Sequence, residues 1–316
     1  MTTPDPVPPV DSVLDLADTA IVVVNYGSHR LLAENLVPMT IKTPSALIVI
    51  VDNFSSAAEL VAVKTMCEAQ GWMLVALDSN HGFGAGVNAG IAAALADRRV
   101  YFVVLNPDAS IGESSLRRLV DSVRHDPLSM VAPLIRRSDG RMWFSGSDVL
   151  LDEGRMANPR TRASRPATPY REWISGACFV ISATLWSRIG GFDGDYFLYW
   201  EDVDLSYRVV ENGGSIRIDG TSSAVHDAGG THTERTRGRA KSETYYYYNI
   251  RNRLVYAAKT LDPAQRRAWD RATLRVSYEI LLRGGRVQFL RPVAPVRALI
   301  RGIRDGRRLA KTIRDK

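Results

Sequence analysis

Four short runs without a charged side chain, at 20–24, 46–51, 72–77 and 100–105, constrain this chain more than any other feature of its 316 residues. Each reads as a strand buried on both faces of a sheet. Helical patterns separate them: one carrying Leu31, Leu32, Leu36 and Val37 up to Pro38, one over 57–70, and one opened by Gly82-Phe83-Gly84-Ala85-Gly86 and running to Asp97. Strands alternating with helices imply parallel pairing through right-handed crossovers, a doubly wound α/β layer with helices on both faces. Ligands bind such a layer at the carboxyl ends of its strands. At that edge the chain places Asn25, Asp52, Asn80 and the triplet Asn106-Pro107-Asp108. Proline cannot donate to a ladder, so the fourth strand has to stop there and leave a carboxylate at its end. Taken singly, each of these residues reads as a turn former or helix cap. Four in register make a polar cluster on a binding edge.

The second half is less regular. A helix over 116–125 and a strand over 130–135 lead to a hairpin that turns at Asp139-Gly140. The stretch 152–170 carries Arg155, Arg160, Arg162 and Arg165 among three prolines and reads either as a solvated loop or as a mobile lid. A strand over 173–181 is interrupted at Ser175-Gly176-Ala177, where backbone would approach a ligand closely. After a short helix at 183–189 and the Gly190-Gly191 stop, an aromatic run at 196–200 leads into a helix over 202–211. Glu201 and Asp202 fall at its N-terminus, as caps that complement the dipole or as chemistry. Short strands at 216–218 and 224–225 end in His226, and a docking helix begins near Lys241.

Charge is concentrated at one end. Residues 264–316 hold 15 Lys and Arg against 4 Asp and Glu, leaving 26 against 30 in the rest. The basic excess therefore points the tail alone toward an anionic partner, a membrane surface rather than nucleic acid. Within it, Val293, Val296, Ile300, Ile303, Ala310 and Ile313 form a helical apolar stripe, flanked by Arg297, Arg301, Arg304, Arg308 and Lys311. That pattern is an interfacial basic helix, or a helix packed on its own catalytic domain or on a second copy in a homo-oligomer. Cys67 and Cys178 stand far apart without metal-ligand spacing, which suits a reducing cytoplasm. No run of about 18 apolar residues exists, and the proline-rich start does not read as a signal peptide. The expectation is a chain neither secreted nor membrane-spanning, with a disordered lead-in at 1–18, a catalytic domain at 19–260 and a basic helical tail at 261–316.

The ordered set AIVVVNY, VDNFSS, NHGFGAGVNAG, LNPDA, WISGACF and GGFDGDYFLYWEDVDLSYR resembles the inverting family 2 glycosyltransferases of GT-A fold. Within them it is most similar to bacterial rhamnosyltransferases and related cell-envelope sugar transferases. The resemblance implies transfer of a sugar, L-rhamnose from dTDP-rhamnose in that subgroup, from a nucleotide-diphosphate sugar to a polyprenyl-linked saccharide at the inner face of the cell membrane. A UDP-sugar-dependent transferase of the same fold and a non-catalytic nucleotide-sugar-binding scaffold are the alternatives. It further implies that Asp52 holds the pyrimidine base, with Asn25 and Tyr26 lining the pocket, and that Asn80, Gly84 and Asn88 border nucleotide and sugar. Asn106-Pro107-Asp108 stands where the family has Asp-x-Asp, so Asp108 would bind Mg²⁺ or Mn²⁺ on the diphosphate, with His226 completing the shell. Asn106 is neutral and a weaker ligand, which leaves open a weak or absent metal dependence. Asp202 matches the general base, with Glu201 and Asp204 as supports.

The chemistry asks for these residue types on its own account. A departing diphosphate needs neutralising charge, and oxygen and imidazole ligands suit Mg²⁺ or Mn²⁺. Inversion needs one base on the acceptor side. A dinucleotide fingerprint, which would make the chain an oxidoreductase, is disfavoured because GFGAGVNAG follows the third strand and lacks the G-x-G-x-x-G spacing. A paired-carboxylate hydrolase is disfavoured because adjacent residues seldom straddle a glycosidic bond at the required separation.

Overall fold

The apolar runs form β1 (Thr19–Asn25), β2 (Leu47–Asp52), β3 (Met73–Ala76) and β4 (Tyr101–Leu105), all parallel and ordered β3-β2-β1-β4. The computed structural model describes residues 15–226, 241–290 and 292–315. Every residue of β1 is buried, as its uncharged sequence requires of a strand covered on both faces. The crossovers run through a short helical stretch comprising α1 (His29–Leu31), a π-turn (Leu32–Leu36) and α2 (Val37–Thr40), then through α3 (Ala57–Gln70) and α4 (Phe83–Ala96). The first of these passes Pro38 instead of stopping there. The widened π-turn ahead of it accommodates a residue with no N–H to donate.

The other half of the sheet is mixed. β5 (Ala109–Ile111), which the sequence pattern did not show, is followed by α5 (Glu113–His125), β6 (Ser129–Arg136) and β7 (Met142–Phe144). β7 pairs back on β6 across the expected Asp139-Gly140 turn. The stretch 152–170 is neither a bare loop nor a lid. With β8 (Ser147–Leu150) it builds a second small sheet through β9 (Met156–Ala157) and β10 (Tyr170–Trp173), joined by a 3₁₀ turn (Pro159–Ser164). Arg162 fastens it, donating to both carboxylate oxygens of buried Asp148 at 2.9 and 2.7 Å. β11 (Cys178–Ser182) then enters the main sheet antiparallel between β4 and β6. α6 (Ala183–Ile189) and α7 (Glu201–Glu211) lead to β12 (Ser215–His226), one long strand with a register shift between Asp219 and Ser223 where two short ones were expected.

Two apolar layers flank the sheet. α4 lies close because it has no side chain to separate it from β1 and β2: a Cβ at Gly90 would stand 2.4 Å from Val22 Cγ1 and 2.8 Å from Val51 Cγ2. The expected lead-in lies outside the described residues up to residue 14. From Asp15 onward the chain is packed, with Leu16 fully buried.

Beyond the sheet, α8 (Glu243–Thr260), α9 (Pro263–Leu282) and α10 (Val293–Arg314) pack together. Gly302 and Gly306 let α10 lie on α8, since a Cβ at either would come within 2.9 Å of the carbonyl of Tyr247 or Arg251. Trp269 of α9 is fully buried and stacks on Tyr256 of α8. No helix among the described residues is long and apolar enough to cross a membrane.

Candidate active site

Because β1 and β2 are in register, Asn25 and Asp52 are direct partners at their carboxyl ends, and both are fully buried. Asn25 donates to Asp52 Oδ1 at 2.9 Å and to Glu59 Oε1 at 3.1 Å, while its carbonyl accepts from the Ser28 hydroxyl at 2.9 Å. Asp52 Oδ2 is left buried with no partner among the described residues. Burial, opposed by the Asn25 amide and reinforced by the Glu59 charge, raises the Asp52 carboxyl above its usual range. An acceptor oxygen of this kind at a strand end suits an N–H donor of a ligand. Tyr26, next along, is half exposed beside it.

Asn80 and Asn88 are engaged by the protein itself. Asn80 Oδ1 accepts from Asn53 Nδ2 at 3.0 Å and from the Gly82 N–H at 2.9 Å, which shapes the turn before α4. Asn88 clamps the backbone of Phe192, accepting from its N–H at 2.8 Å and donating to its carbonyl at 2.9 Å. Gly84 faces the same residue, and a Cβ there would lie 2.8 Å from Phe192 Cβ. These three thus position the turn, and Asn53, Glu59 and His29 are polar members of the edge that sequence reasoning passed over. Ser56-x-x-Glu59 does read as a capping box, and Ser56 Oγ accepts from the Glu59 N–H. The Glu59 carboxylate, however, turns away to His29 Nδ1 at 2.6 Å.

At the end of β4, Asp108 and His226 meet, with Oδ1 3.0 Å from Nε2 and both side chains buried. β12 delivers His226 because it pairs antiparallel with β5, which follows Asp108 directly. The Asn106 amide lies 3.4 Å from His226 Nε2, and the Trp143 ring backs the imidazole at 4.4 Å. His226 Nδ1 is buried with no partner among the described residues. No group of three His, Cys, Asp or Glu side chains gathers among those residues. A carboxylate and an imidazole nevertheless fit a hard divalent cation that keeps water and substrate phosphate as its remaining ligands.

Glu201 and Asp202 open α7, and the backbone before them is strained: Tyr199 and Trp200 both have positive φ, 64° and 74°. Left-handed backbone is disfavoured for bulky residues and persists only where the surroundings impose it. Here a residue the sequence did not single out imposes it. Asn252 of α8, fully buried, donates to the carbonyls of Leu198 and Tyr199 at 2.9 and 2.7 Å. A polar side chain inside an otherwise buried stretch of helix was the available signal. Asp202 accepts from the Gly176 N–H at 3.1 Å and from the Val203 N–H at 2.9 Å. Burial pushes its carboxyl up to about 6 despite those donors. Glu201 is raised well above the usual carboxylate range by burial and by the Asp202 charge. Asp204 points elsewhere, held by Arg208 at 2.7 Å within the helix.

The interruption at Ser175-Gly176-Ala177 joins the two acidic centres. Gly176 reaches Asp202, while the Ala177 carbonyl accepts from the Asn106 N–H at 2.9 Å. A buried acceptor at the carboxyl edge of the sheet, a carboxylate–imidazole pair at the end of β4 and a raised carboxylate one backbone segment away thus share one edge of a GT-A fold of the sugar-transferase class. The mannosyltransferase PcManGT of Pyrobaculum calidifontis, solved with GDP-Man and Mn²⁺, shares the fold. It superposes on 92% of this chain and 86% of its own with a TM-score of 0.54 at 14% identity.

The chain belongs to glycosyl transferase family 2, whose sequence model matches residues 20–184, just over half of it, and it is a nucleotide-sugar-dependent glycosyltransferase. The low-salt glycan biosynthesis hexosyltransferase Agl10 of Haloferax volcanii is 27% identical over 79% of this chain and 80% of its own length. The N-acetylglucosaminyl-diphospho-decaprenol L-rhamnosyltransferase of Mycobacterium tuberculosis is 33% identical over 36% of this chain, which spans 42% of that relative.

Proposed function

We propose that this enzyme transfers a sugar with inversion, L-rhamnose from dTDP-rhamnose, to a hydroxyl of a polyprenyl-linked saccharide presented at the inner face of the cell membrane. The observation that carries the reading is Asp202: a half-buried carboxylate of raised pKa, held by two backbone N–H groups on a strained turn beside the Asn106–Asp108 segment. In the reaction Asp202 takes the proton of the acceptor hydroxyl as that oxygen bonds to the anomeric carbon, and the bond from that carbon to the diphosphate breaks on the opposite face. Asp52 accepts from the base of the nucleotide, with Asn25 fixing its orientation. Asp108 and His226 would hold Mg²⁺ or Mn²⁺, which when bound supplies positive charge at the leaving diphosphate.

The mycobacterial relative supports rhamnose and a lipid-diphosphate acceptor. The Haloferax relative, a hexosyltransferase matching over most of the chain, favours a second reading, transfer of another hexose, for which a UDP-sugar is the alternative donor. A panel of nucleotide-sugars, with and without Mn²⁺, followed by thermal shift and by product analysis separates them. dTDP-rhamnose is expected to give the largest Mn²⁺-dependent shift and a product of inverted anomeric configuration by NMR. A retained configuration overturns Asp202 as base, and a larger shift with a UDP-hexose replaces rhamnose.

A further inference from the structure

We infer that the N-terminal half of α10, with Leu290 just before it, is a wedge that enters an anionic lipid leaflet while the C-terminal half of the same helix lies on the headgroups. This rests on the membrane-borne acceptor proposed above and identifies the surface that meets the bilayer. α10 has two faces. Pro295, Ala298, Gly302, Gly306 and Ala310 are buried on the inner side, along α8. On the outer side Val293, Val296 and Ile300 are 74%, 42% and 59% exposed, and Leu290 is 82% exposed. The apolar stripe expected from the sequence is therefore divided: Ile303 and Ala310 are covered, and its first three members are not.

Continued along the helix, the outer face changes character. Arg304, Arg307, Arg308, Lys311 and Arg314 are all exposed. One surface thus runs from apolar to cationic within a helix roughly 30 Å long. At the junction, Arg297 is paired with Glu243 and Arg301 lies over the Tyr247 ring, so two cationic side chains are fixed at the border of the apolar patch.

The charge gradient selects the occupant. Exposed apolar side chains grouped in this way mark an interaction surface. A second copy whose two-fold axis passes through the apolar half would cover Val293, Val296 and Ile300 but leave the basic row without an anionic partner, and an axis farther along would oppose the cationic halves. An anionic leaflet satisfies both halves at once: the acyl boundary takes Val293, Val296 and Ile300, and the headgroups take the basic row. The Asn252 side of α8 holds the turn before Glu201 and Asp202, so a leaflet seated on α10 lies one helix layer from the catalytic carboxylate.

The test uses the full chain and vesicles of phosphatidylcholine, with and without about a third phosphatidylglycerol. The expected result is flotation with the anionic vesicles only, weakened by salt. Combining Val293→Asp, Val296→Asp and Ile300→Asp should lower vesicle binding at least ~10-fold while leaving the melting temperature and donor hydrolysis unchanged. Removing Arg307 and Arg308 charges as Arg307→Gln and Arg308→Gln should weaken binding by about fivefold per residue. A wild-type protein that ignores anionic vesicles at low salt overturns both the wedge and the membrane reading. Wild-type flotation that the triple variant retains overturns the wedge alone. A dimer in solution that the triple variant dissolves, without vesicle binding, assigns the patch to a second copy and overturns the inference.

Discussion

Asp202 is a base only when ionised, and burial holds its carboxyl up at about 6, where a model-peptide aspartate would titrate near ~3.9. The sign follows: kcat/KM should fall as pH drops through the raised value, with an acid limb well above that of an ordinary aspartate. Asp202→Asn cannot take the proton and can accept from only one of the Gly176 and Val203 N–H groups. Turnover should drop at least ~10²-fold with donor affinity nearly kept, and the acid limb should vanish from what remains. Wild-type turnover in a pH series of that variant would remove Asp202 from the mechanism. If Asp202 is the base, Asn252 acts on it as a positioning residue through the Tyr199–Trp200 turn, whose carbonyls it holds. Asn252→Ala leaves two carbonyls without their donor, a loss of about 1–3 kcal/mol, and Asn252→Asp, which sets an acceptor against them, should be worse. Beyond that loss of stability, a positioning role predicts lower kcat, little change in donor KM and a shifted acid limb, whereas a merely structural role would lower the melting temperature alone and leave kcat and the limb in place. The place of Asp202 in the first turn of α7 was legible because helix starts and aromatic runs are local patterns. Asn252 was not, because it lies some fifty positions from the carbonyls it holds and nothing in a helical sequence states which loop its amide will meet.

At the scale of elements, the four parallel strands were legible because uncharged runs buried on both faces leave few alternatives to a doubly wound layer, whereas their order β3-β2-β1-β4 is set by pairing that no single run states. The mixed half was not legible, since β11 and β5 owe their places to neighbours far along the chain. The glycines of α4 show the same limit. GFGAGVNAG reads as a ligand-bordering segment, yet Gly84 and Asn88 fit around Phe192, and Gly90 fits against Val22 and Val51. Gly90→Ala should accordingly force α4 off the sheet and cost about 1–3 kcal/mol by overpacking, lowering the denaturation midpoint. Gly220→Ala, where nothing lies within 4 Å of the added carbon, should stay within about 0.5 kcal/mol of wild type. Equal midpoints for the two variants would mean that α4 does not depend on close approach. The arginine-rich stretch at 152–170 reads as loop or lid because charge and proline hide a fold whose order comes from ion pairs such as Arg162 with Asp148, which no local pattern announces.

For the whole molecule, the step in charge at residue 264 reads as the start of an appendage, but the helices beyond it form part of the wall behind the Tyr199–Trp200 turn that precedes Glu201. Trp269 donates its indole N–H to the Leu151 carbonyl at 2.8 Å, stacks on Tyr256 and packs edge-on against Trp200, the residue preceding Glu201. Arg253, almost wholly buried, donates to the carbonyls of Gly154, Glu153 and Trp269 and so ties α8 to α9 and to the turn after β8. Truncation after Leu261 would delete Trp269, open the cluster of Trp200, Val255 and Tyr256 to water, and leave the Arg253 guanidinium short of a partner. Trp269→Ala alone should cost about 3–5 kcal/mol. The truncated chain is therefore expected to melt broadly at a lower temperature and to lose transfer and donor hydrolysis together, although residues 20–184, the part that matches the family, remain intact. Calorimetry and donor turnover on the two proteins check this. A truncated form that unfolds cooperatively at the wild-type temperature and hydrolyses donor at the wild-type rate would show that the tail is an appendage after all, and that Trp200 and the turn it precedes hold their shape without it.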